Sequence, residues 1–114
     1  MPFLDPKDML RGKPLRGWSG TFFHSANMTF AIWEIGEDAA DLHEHAHPQE
    51  EVWNVVEGQI AITVDGQEQV VRSGSAVVVP PHARHSARPL GRCRAIVTDW
   101  PLRTSLPGVP HASV

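Results

Sequence analysis

Cysteine is nearly missing from this 114-residue chain: Cys93 stands alone. A lone thiol excludes an internal disulfide and fits a reducing compartment. Cys93 itself is read as a small buried hydrophobe. Long apolar runs are missing too. No stretch approaches the roughly 18 residues of a membrane span, so no membrane association is expected. The first 20 residues carry Pro2, Pro6 and Pro14 and no apolar run. That is not the pattern of a signal peptide, and a cytoplasmic location is the expectation. A basic excess is also lacking: the formal net charge is -3, which gives no support for a nucleic-acid partner. Arg84, Arg88, Arg92 and Arg94 do cluster. They read first as a solvated face and second as an anion-attracting rim to a pocket. Repeats, low-complexity runs and long helical periodicity are all absent.

What remains is a chain with room for one domain, 41% hydrophobic, long enough to bury a core without staples. Proline-rich ends bracket an organised middle. Residues 1–19 read as an irregular arm, with one short helical turn near Asp5 to Leu10. Residues 101–114, with Pro101, Pro107, Gly108 and Pro110, read as a tail packed on the surface or on a partner. Between them, residues 20–100 read as strands. Asn27 to Ile35 alternates, with Thr29, Ala31, Trp33 and Ile35 on one face. Glu51 to Val56, Gln59 to Val64, Gln67 to Val71, Ser75 to Val79, Arg84 to Arg88 and Arg92 to Trp100 follow. Asp65-Gly66 is a two-residue hairpin signal, since a type I′ turn needs positive φ at both positions. Short strands at regular spacing predict an all-β sandwich or barrel. In the last strand Cys93 and Asp99 share one face, Arg94 and Trp100 the other.

Histidine is the unusual abundance. There are seven, and His43, His45 and His47 fall within five residues. In a strand, residues i and i+2 share a face about 6.5–7 Å apart, so His45 and His47 can converge on one ion. Glu51 opens the next strand, and an inward Trp53 would carry Glu51 inward with it. A further imidazole must come from elsewhere, and His85, after Pro80, is the candidate. A second frame is open: His43 and His45 with Glu50. It puts the carboxylate on the face opposite Trp53, so the first frame is preferred. His43 is then a group at the pocket edge or exposed past the strand end. His82 reads as a turn residue, and His24 and His111 as structural or solvated.

His45-Ala-His47-Pro-Gln-Glu-Glu51, then six residues and Gly58, resembles the first motif of the cupin family. Gly74, five residues, then Pro80-Pro-His82-Ala-Arg-His85 resembles the second. His82 stands where the family has Gly, Ser75 where Asp is common and Pro89 where Asn is frequent. The resemblance implies a jelly-roll barrel, the double-stranded β-helix. It also implies one divalent metal, Fe, Mn, Ni or Zn, held by His45, His47, Glu51 and His85. An isolated His-x-His would be read as ordinary surface or core histidines; the register of both motifs favours metal. Three neutral imidazoles and one carboxylate would leave the ion near +1, with positions open if it is six-coordinate.

Trp33, Trp53 and Trp100 lie on expected strands and serve mainly as core, with one or two walling a pocket. Two reaction types follow from the resemblance: dioxygenation, or isomerisation or tautomerisation of a sugar acid. Short cupins that ketonise unsaturated uronates carry a C-terminal Pro-x-Arg, which Pro101-Leu-Arg103 resembles. Their catalytic Asp and aromatic residue do not align with Val97 and Asp99 here. The alternative is a non-catalytic small-molecule or metal-binding sensor; a regulator's helix-turn-helix does not fit in residues 1–26 or 101–114. A homodimer is expected, because open sheet edges and apolar outer faces need cover.

Overall fold

A computed structural model describes residues 2–104. His111 and the tail prolines beyond Thr104 lie outside the described residues. Eight strands follow a single 3-10 turn at Pro6–Asp8. That turn is capped by Asp5, whose carboxylate accepts from Lys7 N–H while Asp8 accepts from Asp5 N–H. The strands are β1 (Leu10–Leu15), β2 (Trp18–His24), β3 (Thr29–Ile35), β4 (Leu42–His45), β5 (Glu50–Val64), β6 (Gln67–Arg72), β7 (Ala76–Val79) and β8 (His85–Trp100). Every pairing is antiparallel. No helix of the described residues is long and apolar enough to cross a membrane.

The long strands β5 and β8 make the jelly roll. Each serves two sheets. The first half of β5 pairs with the second half of β8 (Trp53 opposite Val97) and with β7. The other edge of that β8 half carries β3, β2 and β1 in order. The second half of β5 pairs with the first half of β8 (Ile62 opposite Ala87) and with β6, while β4 covers β8. The core lies between: Trp18, Phe22, Trp33, Trp53 and Val97 from one sheet meet Ile60, Ile62, Val71 and Ala87 from the other. Strands that switch sheets need a corner. Here it falls at Gly58, where the register slips on both sides and φ is +76°. A Cβ at Gly58 would collide with the carbonyl oxygen of Arg92.

Asp65 and Gly66 have φ of 48° and 82°, the type I′ hairpin expected. His82 also holds the left-handed backbone, φ 67°, although it replaces a glycine of the motif, and its N–H donates to His47 O at 2.8 Å. The side chain is exposed, as a turn residue should be.

The first 18 residues are less irregular than expected. Leu10–Leu15 is a strand, and β2 begins at Trp18. β1 is the edge of its sheet, where Pro14 costs no ladder hydrogen bond, and a register slip between Gly12 and Leu15 hides its alternation. In β2 the apolar pattern Trp18, Phe22 is broken by Gly20. Yet a Cβ there would lie 2.5 Å from the Phe22 ring and 2.7 Å from the Trp33 ring. The gap in the pattern is therefore a packing requirement.

Candidate metal centre

The two sheets bring chemistry-bearing side chains to one end of the barrel. His45 ends β4 and sits directly opposite His85, which begins β8; their ring centroids are 4.2 Å apart. His47 lies in the connection from β4 to β5, and Glu51 is the second residue of β5. The inward face of β5 reads Glu51, Trp53, Val55, all buried. Glu51 is thereby turned in. Its Oε1 is 3.0 Å from His47 Nε2 and its Oε2 accepts from Trp53 Nε1–H at 2.6 Å. His85 Nε2 stands 3.3 Å from that same Oε2.

Backbone carbonyls fix the histidine tautomers. Nδ1 of His45 lies 2.8 Å from His43 O, that of His47 3.2 Å from Gln49 O, and that of His85 2.9 Å from Ala83 O. A carbonyl only accepts, so each Nδ1 carries its hydrogen. Neutral imidazoles so held present bare Nε2 lone pairs, the arrangement that metal-ligating histidines use, although His47 Nε2, 3.0 Å from Glu51 Oε1, then needs a proton or a cation between the two atoms. One ligand atom from each of His45, His47 and His85 lies within 4.8 Å of the others. Bonds of about 2.0–2.3 Å to a common ion bring ligand atoms to about 3–4.5 Å from one another, so a small contraction suffices. One atom needs such a partner most. His85 Nε2 is buried and has no hydrogen bond among the described residues. A lone pair facing a carboxylate at 3.3 Å is repulsive unless a proton or a metal cation stands between them. The donor set fits a divalent ion.

The electrostatics agree. Burial alone would raise the Glu51 pKa, but the His47 and His85 imidazoles and the Asp99 carboxyl hold it below the usual carboxylate range. Burial works against a charged His85, yet Glu51 and the Ala83 carbonyl raise it above its ordinary value. Burial lowers His45, against the pull of the His43 carbonyl. In the metal-free protein, a protonated His85 therefore adds stability below its unfolded value of 6.5, lost as pH rises through the raised folded value. Glu51 adds stability above 4.5, lost as pH falls through its lowered value. A metal must displace the His85 proton. Its affinity is expected to fall about tenfold per pH unit below the raised His85 value, with proton release on binding. Chelator competition from pH 8 down to about 6 checks this; a flat profile contradicts it.

The sequence reading did not place Asp99 in the site. It is the direct cross-strand neighbour of Glu51, is buried, and with His47 and Glu51 forms a second group whose ligand atoms lie within 4.8 Å. In the metal-free protein, burial and the Glu51 charge push it up to about 8. The signal was available: Asp99 shares strand parity with Cys93 and Val97, and all three are buried.

Next to this cluster lies a cavity of about 290 Å³. Trp33, Trp53 and Arg103 line it, with His45, Glu51 and Asp99 at one side. Two pocket candidates are corrected. His43 is exposed, because a register slip between Leu42 and His45 breaks the parity it would need to join His45. Trp100 is 56% exposed, since Asp99 takes the inward face of β8 and its neighbour must face out. The clustered arginines form a solvated face, Arg84 paired with Glu44, Arg88 with Glu68, Arg92 with Glu37 and Arg94 with Glu34, and Arg92 and Arg94 also line a hollow away from the metal cluster. A larger hollow of about 470 Å³ lies beyond buried Cys93, six residues along β8 from Asp99, and Arg94 bridges Glu34 and Glu57 across it.

The family model described as "Cupin domain" matches residues 31–99. Among curated proteins, none matched the sequence. The fold is similar to an RmlC-like cupin from Shewanella frigidimarina (25% identity, TM-score 0.76, 90% of this chain and 93% of that one). It is similar to KdgF from Halomonas sp. (20%, 0.80, 90% and 96%). It also resembles part of Bacillus subtilis oxalate decarboxylase, described with Mn(II) centres (15%, 0.77, 95% and 31%). The matched segment carries both motifs, the two-sheet corner at Gly58 and every member of the histidine and carboxylate cluster. The chain belongs to the cupin domain family.

Proposed function

We propose that this chain is a metal-dependent enzyme acting on a small oxygen-bearing molecule, with one divalent ion held by His45, His47, Glu51 and His85. The observation that carries this reading is the set of three imidazoles whose Nδ1 hydrogens are tied to backbone carbonyls. Of these groups, His45 and Glu51 also line a largely apolar cavity that opens to solvent. When bound, an Fe, Mn, Ni or Zn ion supplies Lewis acidity toward a carbonyl or enediol oxygen. The manganese of the oxalate decarboxylase supports a metal of this class.

The rest is done by the chain. Glu51 is held by Trp53 Nε1–H and cannot swing away. The aromatic walls give the cavity an apolar surface, and Arg103 gives it a fixed positive charge. Asp99 lines the cavity beside Glu51, and its Oδ1 is buried without a hydrogen-bond partner among the described residues. A buried acid placed to give and retake a proton favours isomerisation or tautomerisation over dioxygenation. The test is solvent deuterium incorporation into enolisable carbonyl compounds and unsaturated uronates by the metal-loaded protein. Exchange that falls at least about 100-fold in Asp99→Asn, with metal content kept, is expected. Oxygen uptake without exchange would move the assignment to dioxygenation. Tight binding with neither reaction would favour a sensor.

We also propose a homodimer through the outer face of the larger sheet. The cross-strand rows Phe30, Thr98, Val52, Val78 and Ile32, Ile96, Asn54, Ala76 contain no charge. Val78 is 58% exposed. This uncharged patch, bordered by Glu34 and Arg94, can meet its own copy without like-charge repulsion at its centre. Sedimentation is expected to give a dimer that Val52→Asp converts to monomer; a monomeric parent at micromolar concentration rejects it.

A further inference from the structure

We infer that the substrate of this cavity is a compact monocarboxylate with an apolar or aromatic body, not a polyhydroxylated sugar acid. Its carboxylate meets Arg103 and its body lies against the aromatic wall. The inference rests on the reading above for the site it occupies, and sharpens the substrate class.

The wall comes first. Trp18, Phe22, Trp33 and Trp53 lock one another edge to face. Trp18 and Trp33 centroids are 5.4 Å apart at 83°, Phe22 and Trp33 5.3 Å at 85°, and Trp18 and Trp53 6.4 Å at 90°. Such a surface binds by area and shape. Its polar handles are already engaged. Trp18 Nε1–H donates to Ala40 O at 2.7 Å and Trp53 Nε1–H to Glu51 Oε2 at 2.6 Å. Ala31, Val97, Leu15 and Leu42 continue the lining without a polar side-chain atom. A ligand hydroxyl set against this wall finds no side-chain partner there. The volume of about 290 Å³ suits a small body lying against this wall.

The charge comes second. Among the described residues, Arg103 is the one lysine or arginine lining the cavity. Its backbone N–H is pinned to the buried Thr29 hydroxyl at 2.9 Å, which fixes where the side chain starts. Its guanidinium makes no hydrogen bond among the described residues; the nearest carboxylate oxygen, Asp99 Oδ2, is 3.7 Å away. A planar fork of donors, mostly shielded from water, matches a carboxylate in two-point contact.

The test uses the full chain, metal-loaded and metal-free, with three probes: phenylacetate, phenylacetamide and galacturonate. Dissociation constants come from calorimetry. Phenylacetate is expected to bind at least about tenfold tighter than either of the others, the scale of one charge-assisted contact. Arg103→Gln is expected to erase the acid-over-amide preference while elemental analysis finds metal unchanged. Equal binding of galacturonate and phenylacetate in the parent overturns the inference. So does an acid preference that survives Arg103→Gln, or no binding of any probe. The comparison of probes in the parent needs no variant to fold. A parent that holds no metal yet keeps the acid preference would sink the metal reading and leave this one standing.

Discussion

A His47→Ala variant is expected to fold as the parent does and to lose at least about 100-fold in metal affinity. His47 lies on the connection between β4 and β5, outside the strand ladders, so no sheet pairing depends on it. Its removal takes away one Nε2 and the partner of Glu51 Oε1 together. His85 would be a poorer choice for the experiment. It is 1% exposed and sits beside the Glu51 carboxylate, so its truncation would open a hole next to a buried charge. Elemental analysis after dialysis, with circular dichroism as the control for folding, checks the prediction. Equal metal in variant and parent contradicts it.

Gly58→Ala is expected to cost about 3 kcal/mol or more, the sum of a left-handed alanine and a steric overlap that backbone must relieve. For a domain near this size that lowers the melting temperature by about 10 °C or more. Gly66 supplies the control. Its φ is +82°, close to the +76° of Gly58, but nothing lies within 4 Å of the Cβ it lacks. Gly66→Ala should therefore carry only the conformational part, about 1–2 kcal/mol. Denaturant unfolding of both variants separates strain from collision. If the two lose equal stability, the close approach of β8 to the corner of β5 is not what fixes Gly58.

Much of this molecule can be read from its residues. The Asp65-Gly66 turn, the inward Thr29, Ala31, Trp33, Ile35 face and the buried parity of Cys93 and Asp99 follow from local rules, and the structure has them all. The imidazoles of His45, His47 and His85 come together, and Glu51 reaches His47 and His85. What failed is what local rules do not carry. Parity grouped His43 with His45, but an irregular pairing against β8 turns it out. The same counting joined His45 and His47 on one strand, whereas β4 ends at His45 and the loop delivers His47. β1 was hidden by Pro14 and a register slip, and β2 by Gly20, whose space is taken by the ring of Phe22 in the same strand and that of Trp33 from β3. Trp100 was grouped with the pocket for its chemistry, although its own parity with Arg94 already pointed outward.

The most direct measurement is X-ray absorption at the metal edge of the purified, metal-loaded chain. The account predicts one ion per chain in a nitrogen and oxygen shell, with the scattering signature of three imidazoles at about 2.0–2.1 Å if zinc is bound. A shell containing sulfur, fewer than two imidazoles, or no ion retained at all would contradict it.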